Sequence, residues 1–359
     1  MPEQVSLFDS LQNGEQLFAG GGGDLIDSSI HGYQDIISAQ NLLAAWREFL
    51  RGKRKKKDVQ EFQYNLMDNV LALHRDLRDQ TYVHGAYEAF NISDPKPRNI
   101  HKASVRDRLL HHAIYRKLYS YFDKKFIADS YSCRVGKGTH KALGCFRSYA
   151  YQVSKNHTRT CWVLKCDIRK FFASIDQDIL MNIVSRNIRD SDTIKLIGGI
   201  VSSFNVGVEG KGLPLGNLTS QLLVNIYMNE FDQFAKHTLK TKRYIRYADD
   251  FVFLSQDRQW LVSVIPRITD FLESELALSL HPKKLQIKTV ASGVDFLGWV
   301  HFSDHRVLRT AVKRKMFRTI VEKNGKQETV QSYLGLLSHG NAERLQTKVE
   351  DMVVFYEQM

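Results

Sequence analysis

The sequence predicts an α+β fold in which helices cover one face of a sheet. Two apolar stretches, residues 160–167 and 244–254, have the hydrophobic pattern of buried strands. Amphipathic patterns with apolar residues three and four positions apart surround them, and residues 218–237 form a long predicted helix. Because these strands and helices do not alternate regularly, the pattern favours the α+β class over a parallel βαβ sheet.

The composition indicates a globular protein with a polyanionic partner. Hydrophobic residues make up 43% and charged residues 25% of the 359 residues, which is ordinary for a folded chain. The 51 Lys and Arg against 39 Asp and Glu leave a net charge of +12, which favours nucleic acid as a partner. No apolar stretch approaches the ~20 residues that span a bilayer. The N-terminus lacks signal-peptide features, so we expect a cytoplasmic protein without a membrane partner.

The N-terminal part is predicted to be a flexible extension followed by two helices. Residues 1–35 include four consecutive glycines, which lose much backbone entropy on ordering. The apolar spacing over residues 39–50 predicts one helix, and that over residues 59–79 predicts a second. The basic run at residues 51–57 between them is either a solvated loop or a contact with phosphates.

The remaining elements follow in chain order around the central strands. Short β-type segments are predicted at residues 82–90, a proline turn at 95–98, and a helix through 105–110. After Trp299 the pattern becomes helical again and rich in Lys and Arg. The four cysteines have no spacing typical of a zinc site, so we expect reduced thiols.

Acidic side chains stand at the ends of both apolar stretches. Asp249 and Asp250 are adjacent between apolar segments, and placing them inside a sheet would be costly, so a tight hairpin should carry them at its tip. Asp167 ends the other strand. If the strands are neighbours, the carboxylates converge and suit Mg²⁺, and two such ions ~3.5–4 Å apart could clamp a phosphoryl transfer. Taken alone, an aspartate at a strand end is more often a helix cap or a turn residue, and adjacent aspartates are common on surfaces, but the combination is much rarer.

A glycine-containing loop, residues 212–221, leads into the long predicted helix. Gly216 permits close approach of the backbone, and Thr219 and Ser220 suit the beginning of a helix. Whatever the function of the protein, this segment is predicted to be a loop that caps a helix.

Together these elements resemble reverse transcriptases. The Tyr-Ala-Asp-Asp box at residues 247–250 matches their Y-x-D-D motif, and Asp167 stands where they carry their other metal ligand. Further resemblances follow in order at residues 97–108, 131–140, 280–284 and 296–299. The resemblance implies a right-hand polymerase whose palm is an antiparallel sheet with helices on one face. It places the fingers at residues 36–158, the palm, with part of the fingers interleaved, at 159–300, and a basic helical thumb at 301–359.

The resemblance also implies roles for individual residues. Asp167, Asp249 and Asp250, assisted by the backbone of Ile168, would hold two Mg²⁺ ions, with Mn²⁺ as the alternative metal. Phe172 stands at the position of the steric gate that favours dNTPs over rNTPs; the other interpretation is a core aromatic beside Phe171.

The remaining implied contacts are with the nucleotide and the nucleic acid. The incoming dNTP would meet Lys96, Arg98, Arg106, Leu215 and Gly216. Lys284, or the neighbouring Lys283, would protonate the leaving pyrophosphate. Template and primer would meet Tyr247, Gly298, Trp299, Lys313, Arg314 and Lys315.

One departure from the general motif is similar to a particular branch. Most reverse transcriptases carry Q-G-x-x-x-S-P, whereas this chain has Leu215 at the first position and Gln221 at the last, as in the enzymes of diversity-generating retroelements. That resemblance implies copying of a template-repeat RNA into cDNA with errors at template adenines, for targeted gene diversification in bacteria or phage. The implied partners are template RNA, primer and cDNA, dNTPs and a small basic oligomeric accessory protein.

Other interpretations remain open. Within the superfamily, the alternatives are a group II intron-like, a retron or a defence-associated reverse transcriptase. From a different class comes a non-catalytic nucleic-acid-binding protein that keeps a polymerase fold. The three intact aspartates argue against that last alternative, because a binding protein gains nothing from crowding acids beside a polyanion.

Overall fold

The N-terminal part of the described chain is helical. The computed structural model describes residues 32–92 and 98–357. It begins with four helices, which are α1 (Tyr33–Ile37), α2 (Ala39–Phe49), α3 (Lys57–Tyr64) and α4 (Leu66–Arg78). Helix α2 confirms the first predicted helix, whereas the second is divided at Asn65, whose φ of −112° leaves the helical region.

The predicted boundary of the N-terminal extension needs a correction. Tyr33 is buried at the start of α1, because its ring packs in the main hydrophobic cluster and its hydroxyl donates to the Leu77 carbonyl oxygen at 2.5 Å. Residues 33–35 therefore belong to the helical part, and residues 1–31 lie outside the described residues.

A hairpin and a long helix follow. Strands β1 (Glu88–Ile92) and β2 (Arg98–Lys102) pair antiparallel, and α5 (Val105–Lys125) begins after Ser104, whose hydroxyl accepts from the Asp107 amide at 3.1 Å. Four more helices follow α5 along the chain: α6 (Thr139–Val153), α7 (Phe171–Ser174), α8 (Gln177–Asn187) and α9 (Ser191–Ser202).

The central sheet contains both predicted strands. Its order is β4 (Tyr244–Tyr247), β5 (Asp250–Ser255), β3 (Trp162–Asp167) and β6 (Gln286–Thr289), and all neighbours are antiparallel. Helix α10 (Leu218–Gln233) continues as a π-helical turn, and α11 (Arg258–Leu276) follows β5. The α+β class is therefore confirmed, as is the long helix predicted at residues 218–237.

The two faces of the central sheet have different neighbours. On one face, Leu164, Cys166 and Phe253 join the hydrophobic cluster formed with α8, α10 and α11. On the other face, Val163 and Val252 pack in a second cluster that includes α6. Helices thus cover one whole face as predicted, and α6 adds a cover to part of the opposite face.

A second sheet precedes the C-terminal helices. It consists of β7 (Val294–Phe296), β8 (Trp299–His301) and β9 (Arg306–Leu308) and leads into α12 (Thr310–Glu322), α13 (Gln327–Leu337) and α14 (Glu343–Glu357). The helical part that was predicted from residue 301 therefore begins at Thr310. Within the residues described, no helix combines the length and the apolar character needed to cross a bilayer. The four cysteines are free thiols.

Candidate active site at the tip of the central sheet

The sheet brings the three predicted aspartates to one end. Tyr247 pairs with Asp250 across the β4–β5 hairpin, which leaves Ala248 and Asp249 as its two-residue loop. On the other side, Asp167 stands directly opposite Asp250 in the β3–β5 ladder. The Ile168 amide donates to the Asp249 carbonyl oxygen at 3.2 Å, which ties the loop to the end of β3. The convergence expected from the sequence is therefore present.

Two lysines neutralise part of this acidic cluster. The Nζ atom of Lys284 donates to Oδ1 of Asp167 at 2.6 Å. The Nζ atom of Lys165 lies 3.3 Å from Oδ2 of Asp250. Both pairs are partly shielded from solvent, so their charges are screened less than those of a surface pair.

The surroundings of the hairpin acids disfavour negative charge. Burial raises the pKa of Asp249, the charge of Asp167 raises it further, and the cations Lys284 and Arg98 oppose the shift. Burial also raises the pKa of Asp250, to about 7, against the attraction of Lys165. Crowded, desolvated carboxylates of this kind gain stability when a cation joins them.

The donor atoms fit a divalent metal by their chemistry. In the part of the chain that the structure describes, no group of three or more His, Cys, Asp or Glu side chains is arranged as a ready metal cage. The three carboxylates are hard oxygen donors of the type that Mg²⁺ prefers. The Oδ1 atom of Asp250 is buried and has no hydrogen-bond partner among the described residues, which leaves one such donor unused.

Three of the predicted nucleotide contacts belong to β2 and to the glycine loop, which a backbone hydrogen bond joins. Arg98 opens β2, and its charge reaches Asp249, whose pKa it lowers. The glycine loop is joined to the same strand, because the His101 amide donates to the Leu215 carbonyl oxygen at 3.2 Å. Gly216 has a φ of 111°, a value that favours glycine.

Phe171 lies in the hydrophobic core, whereas Phe172 lies at the edge of that core. Phe171 is buried in the main cluster, whereas Phe172 is half-buried and packs edge-on against it at 5.6 Å. The Phe172 carbonyl oxygen accepts from the Leu213 amide at 2.8 Å, which places Phe172 beside the glycine loop. The core position is thus taken by Phe171, as the gate interpretation of Phe172 requires.

Arg106, a further predicted nucleotide contact, is not brought to the tip. The Nη2 atom of Arg106 donates to Asp76 of α4 at 2.5 Å, and its guanidinium lies 4.8 Å from the centre of the Tyr82 ring. Arg106 is therefore engaged in packing α5 against α4. Lys96 lies outside the described residues.

The predicted nucleic-acid contacts have mixed positions. Gly298 and Leu297 form the two-residue turn between β7 and β8, and both have positive φ, as a type I′ hairpin requires. Trp299 was predicted to contact nucleic acid, but it is only 2% exposed and its ring packs so closely under Gly340 that an added Cβ would collide with it. Trp299 is thus a core residue of the second cluster. Tyr247 is half-buried, and its hydroxyl accepts from Thr139 Oγ1 at 3.1 Å. On α12, Lys313 and Arg314 are exposed and Lys315 is half-buried.

A buried arginine that was not predicted from the sequence supports the hairpin. The guanidinium of Arg246 is 1% exposed and forms a two-point ion pair with Asp232, which is fully buried, at 2.8 and 2.7 Å. Its Nη1 atom also donates to the carbonyl oxygen of Ala248, the loop residue with a φ of 54°. The available signal was a cation in an otherwise apolar strand, which needs a buried partner.

Comparisons with known proteins identify the family of this chain. Residues 93–301 match the family described as Reverse transcriptase (RNA-dependent DNA polymerase). Protein YkfC of Escherichia coli is 27% identical over 60% of this chain and 65% of its own length. The group II intron-encoded protein LtrA of Lactococcus lactis is 20% identical over 69% of this chain and 51% of its own. The chain therefore spans between half and two thirds of these relatives.

Solved structures include a similar telomerase. The telomerase of Candida albicans, in complex with a fragment of telomeric RNA, superimposes with a TM-score of 0.49 at 10% identity. The superposition covers 77% of this chain and 58% of the telomerase chain.

Proposed function

Because the chain belongs to the reverse transcriptase family, we propose that it is an RNA-directed DNA polymerase, which copies template RNA into cDNA from dNTPs. The observation that carries the proposal is the meeting of three acids at one strand end. Asp167 lies opposite Asp250, and Asp249 adjoins both in the loop. In our proposal the fingers are residues 36–158, the palm 159–300 and the thumb 301–359, with the thumb helices starting at Thr310.

The three aspartates, with the backbone of Ile168, would hold two Mg²⁺ ions, or Mn²⁺ in their place. When bound, such ions supply positive charge that favours an ionised 3′-hydroxyl and neutralises the departing pyrophosphate. The protein holds the carboxylates in position, because the β3–β5 ladder fixes Asp167 and Asp250 opposite each other. Arg98, whose charge lowers the pKa of Asp249, would bind the triphosphate.

In the proposed reaction, the primer 3′-hydroxyl loses its proton to solvent, and its oxygen forms a bond to the α-phosphorus of the dNTP. The bond between that phosphorus and the bridging oxygen breaks, and pyrophosphate leaves with its electron pair. Lys284 is our candidate for the proton donor to pyrophosphate, because its Nζ atom is held 2.6 Å from Asp167. Lys283 is exposed on the same turn and is the alternative donor.

Primer extension tests the proposed function directly. The chain is incubated with an RNA template, an annealed DNA primer, dNTPs and Mg²⁺, and the length of the products is measured. Template-dependent extension is the expected result. Binding of the RNA without any incorporation would instead favour the non-catalytic nucleic-acid-binding protein.

Replacing Phe172 by Ala is expected to admit ribonucleotides. The half-buried ring would collide with a ribose 2′-hydroxyl, and its removal should raise the relative use of rNTPs roughly 10- to 100-fold. Single-nucleotide incorporation of dNTPs and rNTPs by the same preparation measures this ratio. In the control Phe171→Ala, a core ring is lost, so we expect reduced thermal stability without the change in sugar selectivity. An unchanged ratio in Phe172→Ala would remove the gate from this position.

Leu215 supports the diversity-generating branch of the family. Its side chain is half-buried in the loop that β2 holds, and an aliphatic group there cannot form the hydrogen bond of the usual glutamine. We infer that the enzyme copies a template-repeat RNA with errors at adenines and works with a small basic oligomeric accessory protein. The relative LtrA is a group II intron-encoded protein, so a group II intron-like enzyme is the second candidate; retron and defence-associated enzymes remain the further alternatives.

Replacing Leu215 by Gln is expected to lower errors opposite template adenine about 10-fold, because a new polar contact would favour the correct pair. Sequencing of cDNA made by the two proteins on one RNA gives the error rate at every template base. Errors opposite the other three bases serve as the internal control. Faithful copying by the unaltered chain would instead indicate a group II intron-like or retron-type enzyme.

A further inference from the structure

Lys165 lies between the acidic tip and the second sheet. Side chains alternate along β3, so Val163, Lys165 and Asp167 share one face of the central sheet. Val163 packs in the second cluster, and Asp167 belongs to the tip. The Lys165 side chain is 16% exposed, and its Nζ atom contacts two separate elements. It lies 3.3 Å from Oδ2 of Asp250 and donates to the carbonyl oxygen of Asp295 in β7 at 2.7 Å.

The β7–β8 hairpin, which contains Asp295, also contacts the beginning of α12, the first helix of the proposed thumb. The Asp295 carboxylate accepts from Nη2 of Arg309 at 2.5 Å, and the Arg309 amide donates to the Gly298 carbonyl oxygen at 3.0 Å. Arg309 directly precedes α12, the helix that carries Lys313 and Arg314. A continuous set of polar contacts therefore runs from Asp250 through Lys165 and Asp295 to the beginning of α12.

We propose that Lys165 is a positioning residue that couples primer–template binding at the β7–β8 hairpin and α12 to the carboxylate of Asp250. The inference rests on the proposed function. A surface lysine would only add charge, whereas this ammonium is fixed by a backbone carbonyl of another sheet. A displacement of the hairpin therefore displaces Nζ and with it the orientation of Asp250. Coupling of this kind is reciprocal. A metal at the acids must therefore change the affinity for primer–template by the same factor by which primer–template changes the affinity for the metal.

The coupling can be measured by binding alone. The dissociation constant of a fluorescent RNA–DNA primer–template is determined by anisotropy without dNTPs, once in EDTA and once in Mg²⁺, and the ratio of the two values is the coupling factor. We expect about 5-fold or more for the unaltered chain and less than about 2-fold for Lys165→Met. In EDTA the two proteins should bind alike.

Lys288→Met is the matched control, since it removes one exposed cation from β6 of the same sheet. It should keep the full coupling factor. Both variants could instead bind primer–template more weakly by the same amount in EDTA and in Mg²⁺ and keep the coupling factor. That result would mean that Lys165 contributes charge only and would overturn the proposal.

Arg309→Met removes the contact between Arg309 and Asp295 and leaves the Lys165–Asp250 pair intact. This variant therefore tests the coupling if Lys165→Met does not fold. It should also lower the factor, and the double variant should lose no more than Lys165→Met does. A wild-type factor in Arg309→Met, or losses that add in the double variant, would contradict the link. If the unaltered chain shows the coupling but does not extend primers, the result counts against the polymerase. If it extends primers but Lys165→Met keeps the full coupling factor, the result counts against the role of Lys165.

Discussion

Asn in place of Asp249 or Asp250 is expected to lower dNTP incorporation by at least about 10³-fold while RNA binding is kept. An amide oxygen keeps the shape of the carboxylate but loses the charge that binds a hard cation. Burial raises the pKa of both groups, and Asp167 adds repulsion at Asp249, so the neutral amides should fold at least as well. Lost activity together with an equal or higher melting temperature is therefore the expected pair of results.

Single-turnover primer extension measures the rate, anisotropy with labelled RNA measures binding, and thermal unfolding measures stability. Asp257→Asn is the matched control, because Asp257 caps α11 after β5 through its contact with the Trp260 amide, and asparagine caps a helix as well. This control should polymerise normally. Persistent incorporation by Asp249→Asn and Asp250→Asn would end the catalytic assignment, and a joint loss of RNA binding and melting temperature would point to misfolding.

The α+β class and the position of the acids could be predicted because their signals are local. Asp167 ends one apolar stretch, Asp249 and Asp250 interrupt the other, and an adjacent acid pair inside a sheet is tolerated only at a hairpin tip. Helix boundaries were predicted less well. Nothing in the apolar spacing over residues 59–79 marked Asn65 as the end of α3, although asparagine is a weak helix former.

The missing parts of the site depend on residues far apart in sequence. The family resemblance implied that Trp299 contacts nucleic acid, and its local sequence could not reveal its burial because the glycine that covers it, Gly340, belongs to the turn after α13. Lys165 and Asp295 are separated by 130 residues, so no local pattern reveals their hydrogen bond. Such contacts follow from the packing of whole elements and require the three-dimensional structure.

The ion pair of Arg246 with Asp232 is likewise a contact that no local sequence pattern reveals. Replacing Arg246 has the largest expected effect on stability. Arg246→Met should reduce the free energy of unfolding by about 3–5 kcal/mol, because it leaves Asp232 buried without its cation. The Tyr244 hydroxyl, 2.8 Å from Asp232, would remain as a neutral donor and compensates only part of that loss. Chemical denaturation of the two proteins measures the difference.

Arg243→Met is the control for this change, since Arg243 lies just before the same strand and contacts the Tyr149 ring at 5.0 Å; its loss should cost about 1 kcal/mol or less. Adding Asp232→Leu to Arg246→Met should restore most of the stability, because the uncompensated charge is gone. The double variant should still extend primers slowly, since the Ala248 carbonyl oxygen beside Asp249 has lost the Nη1 donor at 3.2 Å. Full activity in a stable double variant would show that the buried pair serves folding alone, whereas stability restored without activity would assign Arg246 a second role in holding the loop of the acidic hairpin.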